Sequence, residues 1–142
     1  MKVLKWIGGF VLGLVVAMAL VTGVEVVNGI LHPPPAGFQG THEEVCTLVE
    51  SYPAWLLVTS GVAWAFTAFL GTWIAKRIGG RGAGLTVGLL LLAGAVYNVL
   101  VYPYPLWFKG GVLVGMVVGV LVGSRKRAAA PAAAGVPTPP AG

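Results

Sequence analysis

The chain has no aspartate, one cysteine, two histidines and only three serines, Ser51, Ser60 and Ser124. With so few nucleophiles and bases, no nucleophile–base–acid set can be assembled. The single Cys46 excludes an intramolecular disulfide and a cysteine-rich zinc site. Charge is scarcer still. Charged residues make up 9% of the 142, against about 25% in ordinary globular chains. So few charges cannot cover a water-facing surface.

What is abundant is apolar. Hydrophobic residues reach 57% and mean hydropathy is +0.89. Four apolar stretches predict four transmembrane helices, over about 6–28, 54–75, 83–102 and 106–123. The Trp6 to Val24 core of the first covers about 28 Å as helix, close to the hydrocarbon thickness of a bilayer. A signal peptide is the rival reading there, with Ala17-Met18-Ala19 as the small-x-small site. Apolar character continues beyond that site through Leu20, Val21, Val24, Val26 and Val27, which favours a retained helix.

Polar punctuation separates the stretches. Pro33-Pro34-Pro35 ends the first helix as a short polyproline segment. Thr41-His42-Glu43-Glu44 has the S/T-x-x-E capping-box pattern, followed by Val45, Leu48, Val49 and Tyr52 on one helical face. This predicts a short amphipathic interfacial helix over about 42–51, with Pro53 opening the next span. Lys76 to Gly82 reads as a basic turn, and Tyr102-Pro103-Tyr104-Pro105 as a tight one. Residues 125–142 hold a basic cluster and an Ala/Pro-rich tail with no apolar pattern, expected to be disordered. The fold expectation is therefore all-α: four transmembrane helices in an up-down bundle, with one short extracytoplasmic amphipathic helix.

The formal net charge is +5. In a soluble chain that would suggest nucleic acid; in a membrane chain it sets orientation instead. Lys2, Lys5, Lys76, Arg77, Arg81, Arg125, Lys126 and Arg127 fall on one side of the predicted topology, and Lys109 alone on the other. Positive-inside counting then puts both termini in the cytoplasm of a multi-pass cell-membrane protein. All four acidic residues, Glu25, Glu43, Glu44 and Glu50, fall at or beyond the opposite end of the first helix. Tyr52, Trp55, Tyr102, Tyr104 and Trp107 mark one interface, and Trp6 and Trp73 the other.

Two patterns stand out. Gly111, Gly115, Gly119 and Gly123 repeat G-x-x-x-G along the last helix, and Gly84 and Gly88 do so on the third. Gly9 and Gly13 mark the first helix, and Ala63, Thr67 and Gly71 the second. Small residues at this spacing let helix backbones approach closely. Packing inside one four-helix bundle is the leading reading and a homo-oligomer, with or without a pore, the alternative; the motif alone does not separate contacts within a chain from those between chains. The second pattern is a polar cluster near one end of the spans: Glu25, Asn28 and His32 at i, i+3 and i+7, with Asn98 near the end of the third span. Intramembrane ionisable groups are candidates for function, although Glu25 reaching headgroup water and Asn28 capping the helix would also explain them. His42 and Cys46 at i, i+4 could meet a soft metal, but lack the repeated ligand spacing of a zinc site. No metal and no cofactor are expected.

The set Glu25-x-x-Asn28, Pro33-Pro34-Pro35, the acidic helix, Asn98 and Pro103-Tyr104-Pro105-Leu106-Trp107-Phe108 resembles a family of small bacterial four-helix membrane proteins of unknown function. The likeness covers about residues 20–123. It implies a fold and a bacterial cytoplasmic membrane, not an activity.

The expected partners are the lipid bilayer and either further copies of the chain or a larger membrane complex, with no nucleic acid. The leading expectation is a non-enzymatic packing or accessory component. A small transporter or channel with a polar outer mouth is the alternative, and a membrane enzyme using Glu25 the third reading. The middle of the spans offers only Thr59, Ser60, Thr67, Thr72 and Thr86 as polar lining, which weakens conduction.

Overall fold

The structure, a computed structural model, describes residues 1–125. Four helices follow in order: α1 (Lys2–Leu31), α2 (His42–Glu50), α3 (Ala54–Val101) and α4 (Leu106–Ser124). Lys126, Arg127 and the expected Ala/Pro-rich tail lie outside the described residues.

Three of these helices, α1, α3 and α4, are long and apolar enough to cross a membrane. The expectation of four separate transmembrane helices is corrected by this finding. The difference lies at 76–82, expected as a turn between two spans. Lys76, Arg77 and Arg81 are good helix formers, and the backbone leaves helical geometry at Gly80 alone (φ 85°, ψ 178°). The stretches expected as the second and third spans therefore form one 48-residue element, α3, sharply bent. Gly80 occupies a region of backbone space essentially restricted to glycine, so one residue does the work of a loop.

The bend folds α3 back on itself. A Cβ on Gly84 would lie 2.8 Å from the Lys76 Cβ and 2.9 Å from the Thr72 carbonyl. One on Gly88 would lie 2.8 Å from the Thr72 hydroxyl. The first arm (54–79) and second arm (81–101) thus run side by side, backbone against backbone, and both ends of α3 come to the same end of the bundle.

α1 and α4 each pack on α3. Gly9, Gly13 and Ala17, one turn apart, form the buried ridge of α1. That ridge meets Gly71, Ala75 and Gly79: a Cβ on Gly13 would reach the Ala75 Cβ at 2.6 Å, and Gly71 faces the Ala17 Cβ at 3.0 Å. On α4, Gly115 faces the Ala65 Cβ, Gly119 the Ala65 carbonyl, and Gly123 the Phe69 carbonyl and Thr72. Gly111 does not share this contact; no heavy atom lies within 4 Å of where its Cβ would stand. Close approach along these stripes maximises van der Waals contact, which drives helix association in lipid.

The ends differ in character. At one, α1 begins, α3 bends and α4 finishes. Lys76 Nζ donates to the Arg125 carbonyl (2.6 Å), which satisfies an oxygen just beyond the open end of α4. Arg77 sits 5.0 Å over the Trp73 ring, a cation–π contact. At the other end lie α2 and the two proline-led helix starts, Pro53 before α3 and Pro105 before α4. α2 begins with a complete capping box. Thr41 Oγ1 accepts from the Glu44 amide at 3.4 Å, and Glu44 Oε2 accepts from the Thr41 amide at 3.0 Å. The Gln39 amide also donates to Glu44 (3.0 Å). These backbone donors hold the Glu44 carboxyl below its ordinary value of 4.5.

A polar chamber at the α2 end of the bundle

Below α2 lies a cavity of about 160 Å³, lined by Glu25 and Asn28 from α1, Val45 and Val49 from α2, Leu57, Ser60, Trp64 and Asn98 from α3, and four aromatic or apolar neighbours: Tyr52, Tyr102, Tyr104 and Phe108. Each element contributes for a local reason. α1 continues through Glu25 to Leu31 before the prolines stop it, so Asn28 falls on the buried face turned to α3 and Glu25 on its exposed margin, where it still lines the chamber. The return of α3 at Gly80 brings Asn98 back beside Ser60 and Trp64. Val49, the buried residue of α2, closes the top.

Asn28 is buried and its Oδ1 lies 3.1 Å from the Ser60 hydroxyl, which also reaches the Leu56 carbonyl at 2.8 Å. This polar contact joins α1 to the first arm of α3. The Tyr104 hydroxyl is held above its ordinary value of 10, first by burial and then by the Glu25 charge. Tyr52 is raised for the same two reasons. Both phenols therefore stay protonated and can donate. Trp64 and Phe108 stack edge to face at 6.2 Å, and Tyr104 and Phe108 lie 4.8 Å apart.

Two polar atoms in this wall are buried and unpartnered, Trp64 Nε1 and Asn98 Oδ1. A buried donor or acceptor left without a partner costs about 1–3 kcal/mol. They are complementary in kind, one donating and one accepting.

Of the residues expected as one cluster, Glu25, Asn28 and Asn98 line the chamber, and His32 does not. His32 Nε2 lies 3.0 Å from the Ser51 hydroxyl, which gives its own hydrogen to the Leu48 carbonyl (2.6 Å). The imidazole N–H therefore donates to Ser51, and its ring meets Tyr52 edge-on at 5.3 Å. It ties the end of α1 to the joint between α2 and α3. Of the expected packing glycines, Gly84, Gly88, Gly115, Gly119 and Gly123 sit at helix contacts within the chain, and Gly111 faces open space. His42 and Cys46 stand 3.6 Å apart, and no group of three His, Cys, Asp or Glu side chains suited to a metal occurs among the described residues.

Ser60, Trp64, Tyr104 and Phe108 were not legible as site residues. Trp64 carried one usable signal. It lies about 15 Å into α3 from Ala54, deeper than the interfacial belt that tryptophan favours, and its N–H needs a reason to be there.

Fold and chamber together define a small all-α protein of several apolar, membrane-length helices, multi-pass in character, with polar groups gathered at one end. No protein-family model, no curated protein and no solved structure matches the chain. The resemblance to a bacterial four-helix family thus extends no further than that coarse description.

Proposed function

We propose that the protein is a non-enzymatic, membrane-embedded binding component, whose chamber holds a small polar group at the α2 end of the bundle. One observation carries this reading: Trp64 Nε1 and Asn98 Oδ1 are both buried without partners in residues that line one cavity. A donor and an acceptor left unsatisfied in residues that line one cavity gain partners when a ligand enters and the two side chains turn to meet it.

Conduction fits the packing less well. Beyond Thr67 toward the basic end, Ala68, Thr72, Ala75, Ala83 and Val87 are fully buried, and helix backbones meet there at glycines. The chamber has a floor. Chemistry fits less well too, because Glu25 is the one carboxylate in the lining and no histidine, lysine or cysteine stands beside it. In the membrane the end carrying Lys2, Lys5, Lys76, Arg77 and Arg125 faces the cytoplasm, by the bias of cationic residues to that side, and the chamber faces outward. The glycine stripe of α4 serves contacts inside the chain at Gly115, Gly119 and Gly123, so a larger membrane complex would be met through other faces.

The test is native mass spectrometry of the intact protein released from its own membrane in mild detergent. A reproducible adduct on the wild type that is lost in Asn98→Leu, a variant that removes one of the unpartnered groups, is expected. A bare wild-type protein, or an adduct kept by the variant, contradicts the reading.

A further inference from the structure

A second cavity adjoins the chamber. It measures about 270 Å³ and is lined by Leu14, Met18 and Val21 of α1, Leu90, Leu91, Gly94 and Ala95 of the second arm of α3, Met116 of α4, and Thr67. Its remaining walls are Trp64 and Asn98, the two residues it shares with the chamber. One compartment is polar and aromatic, the other almost wholly apolar. They meet at Trp64 and Asn98, two of the three side chains among the described residues with a buried, unpartnered polar atom; the third, Thr72, lines neither cavity.

We propose that the two cavities form one site for a single-chain amphiphile with an ammonium head, an oxygen at the junction of head and chain, and a hydrocarbon tail. The proposal rests on the binding role assigned to the chamber above and names its ligand class. The head is set by the lining. Glu25 is the chamber's single carboxylate, and among the described residues no basic side chain lines the chamber to neutralise it. Tyr52, Trp64, Tyr102, Tyr104 and Phe108 put five aromatic rings around the same space. A carboxylate among aromatic faces is the environment that ammonium ions prefer, because the ring quadrupoles and the charge both attract a cation. An anionic head would meet the like charge of Glu25 in the same lining and be repelled by it.

The junction is set by the neck. Trp64 Nε1 is a donor only, so what it meets there is an acceptor oxygen. Asn98 Oδ1 accepts there, from an ammonium N–H, from a hydroxyl or, where the head is quaternary, from the polarised C–H groups beside the nitrogen.

The tail is set by the second cavity. From Asn98 to Leu90 the helix descends about 12 Å, toward the middle of the bilayer and along the flank between α1 and the second arm. Leu90, Met18 and Gly94 are exposed on that flank. A chain there lies against protein on one side and lipid on the other, so an amphiphile enters sideways from the bilayer, head last into the chamber.

Gly94 allows the tail to be tested apart from the head. A Cβ at this position meets nothing within 4 Å, so Gly94→Leu fills the apolar cavity without displacing a helix. The experiment compares lauroylcholine, choline and the uncharged ethylene glycol monolaurate. Each is radiolabelled and measured as retention by protein-loaded over empty nanodiscs of phosphatidylglycerol, a lipid with no amine of its own. The wild type is expected to retain choline and to retain lauroylcholine more strongly. Ethylene glycol monolaurate should bind about tenfold or more weakly than lauroylcholine, the loss of a desolvated cation–π and ion contact. Glu25→Gln, close to isosteric, should weaken choline and lauroylcholine alike. Gly94→Leu should weaken lauroylcholine about tenfold and leave choline unchanged, since about two methylenes fewer in contact suffice for that loss. Equal retention of the charged and uncharged laurates overturns the ammonium head. Choline retention with lauroylcholine indifferent to Gly94→Leu overturns the tail site and leaves the chamber standing. Retention of none of the three by the wild type overturns the inference, while the binding role beneath it stands or falls with the adduct in native mass spectrometry.

Discussion

Alanine placed at successive glycines of α4 should change stability with opposite signs, according to what stands opposite each one. At Gly111 the new Cβ enters open space. Gly111→Ala then gains helix propensity, about 0.5–1 kcal/mol, with nothing to offset it. At Gly115 the Cβ comes within 3.3 Å of the Ala65 Cβ. A shift of a few tenths of an ångström relieves that contact, and the two effects should nearly cancel. At Gly119 the Cβ would overlap the Ala65 carbonyl oxygen and approach the Phe69 amide nitrogen at 3.2 Å. These are backbone atoms of α3 and cannot rotate away, so α4 as a whole must move. Overpacking of this kind costs about 1–3 kcal/mol, more than the propensity gain returns. The order of stability is therefore Gly111→Ala above wild type, Gly115→Ala near it and Gly119→Ala below. Reversible unfolding of each variant in the same mild detergent, followed by far-ultraviolet circular dichroism, reads the order directly. Gly111→Ala and Gly119→Ala shifting stability in the same direction would refute the packing of α4 on the first arm of α3.

The capping box gives a second expectation: Thr41→Ala should lower the local stability of α2 by about 1 kcal/mol, seen as faster amide exchange over His42–Glu50 with α1, α3 and α4 unchanged. The same helix should loosen with acid. Because the Glu44 carboxyl is held below its ordinary value of 4.5 by backbone donors, its contribution is complete above 4.5 and fades as pH falls through the lower folded value; amide protection of α2 that is flat across that range would contradict the assignment. A third expectation concerns sidedness. An impermeant maleimide should label Cys46 in intact cells, whereas a cysteine at Lys2, at the basic end, should label only after lysis; the reverse pattern would place the chamber toward the cytoplasm.

The membrane-length apolar helices and the small-residue stripes could be read from sequence, because both are local periodicities. Gly9, Gly13 and Gly71, and Gly115, Gly119 and Gly123, announce themselves by spacing. What each stripe touches is not local, and spacing alone could not say that Gly119 meets Ala65 in the same chain rather than in a second copy. The bend at Gly80 was hidden for a related reason. A cluster of glycine and basic residues predicts a loop, yet here one left-handed glycine reverses the chain and its neighbours stay helical. The chamber was half legible. Glu25, Asn28 and Asn98 are polar residues in apolar spans and draw notice wherever they fall. Trp64 stands deeper than the interfacial belt, but neither it nor Phe108 points to a site until the return of α3 places one beside Asn98 and the start of α4 brings the other against it. His32 shared the helical spacing of Glu25 and Asn28, but the chain leaves the helix at that residue, and the side chain turns to Ser51 instead.

The most direct test of the chamber is the indole N–H resonance of Trp64. In protein labelled with ¹⁵N-tryptophan and held in phosphatidylglycerol nanodiscs, Trp64→Phe assigns that resonance, and Trp73 at the basic end serves as the internal reference. Titration with choline should move the Trp64 signal saturably while Trp73 stays fixed, and Glu25→Gln should suppress the movement. A Trp64 resonance that does not respond, or one that drifts in step with Trp73, would contradict a ligand in the chamber.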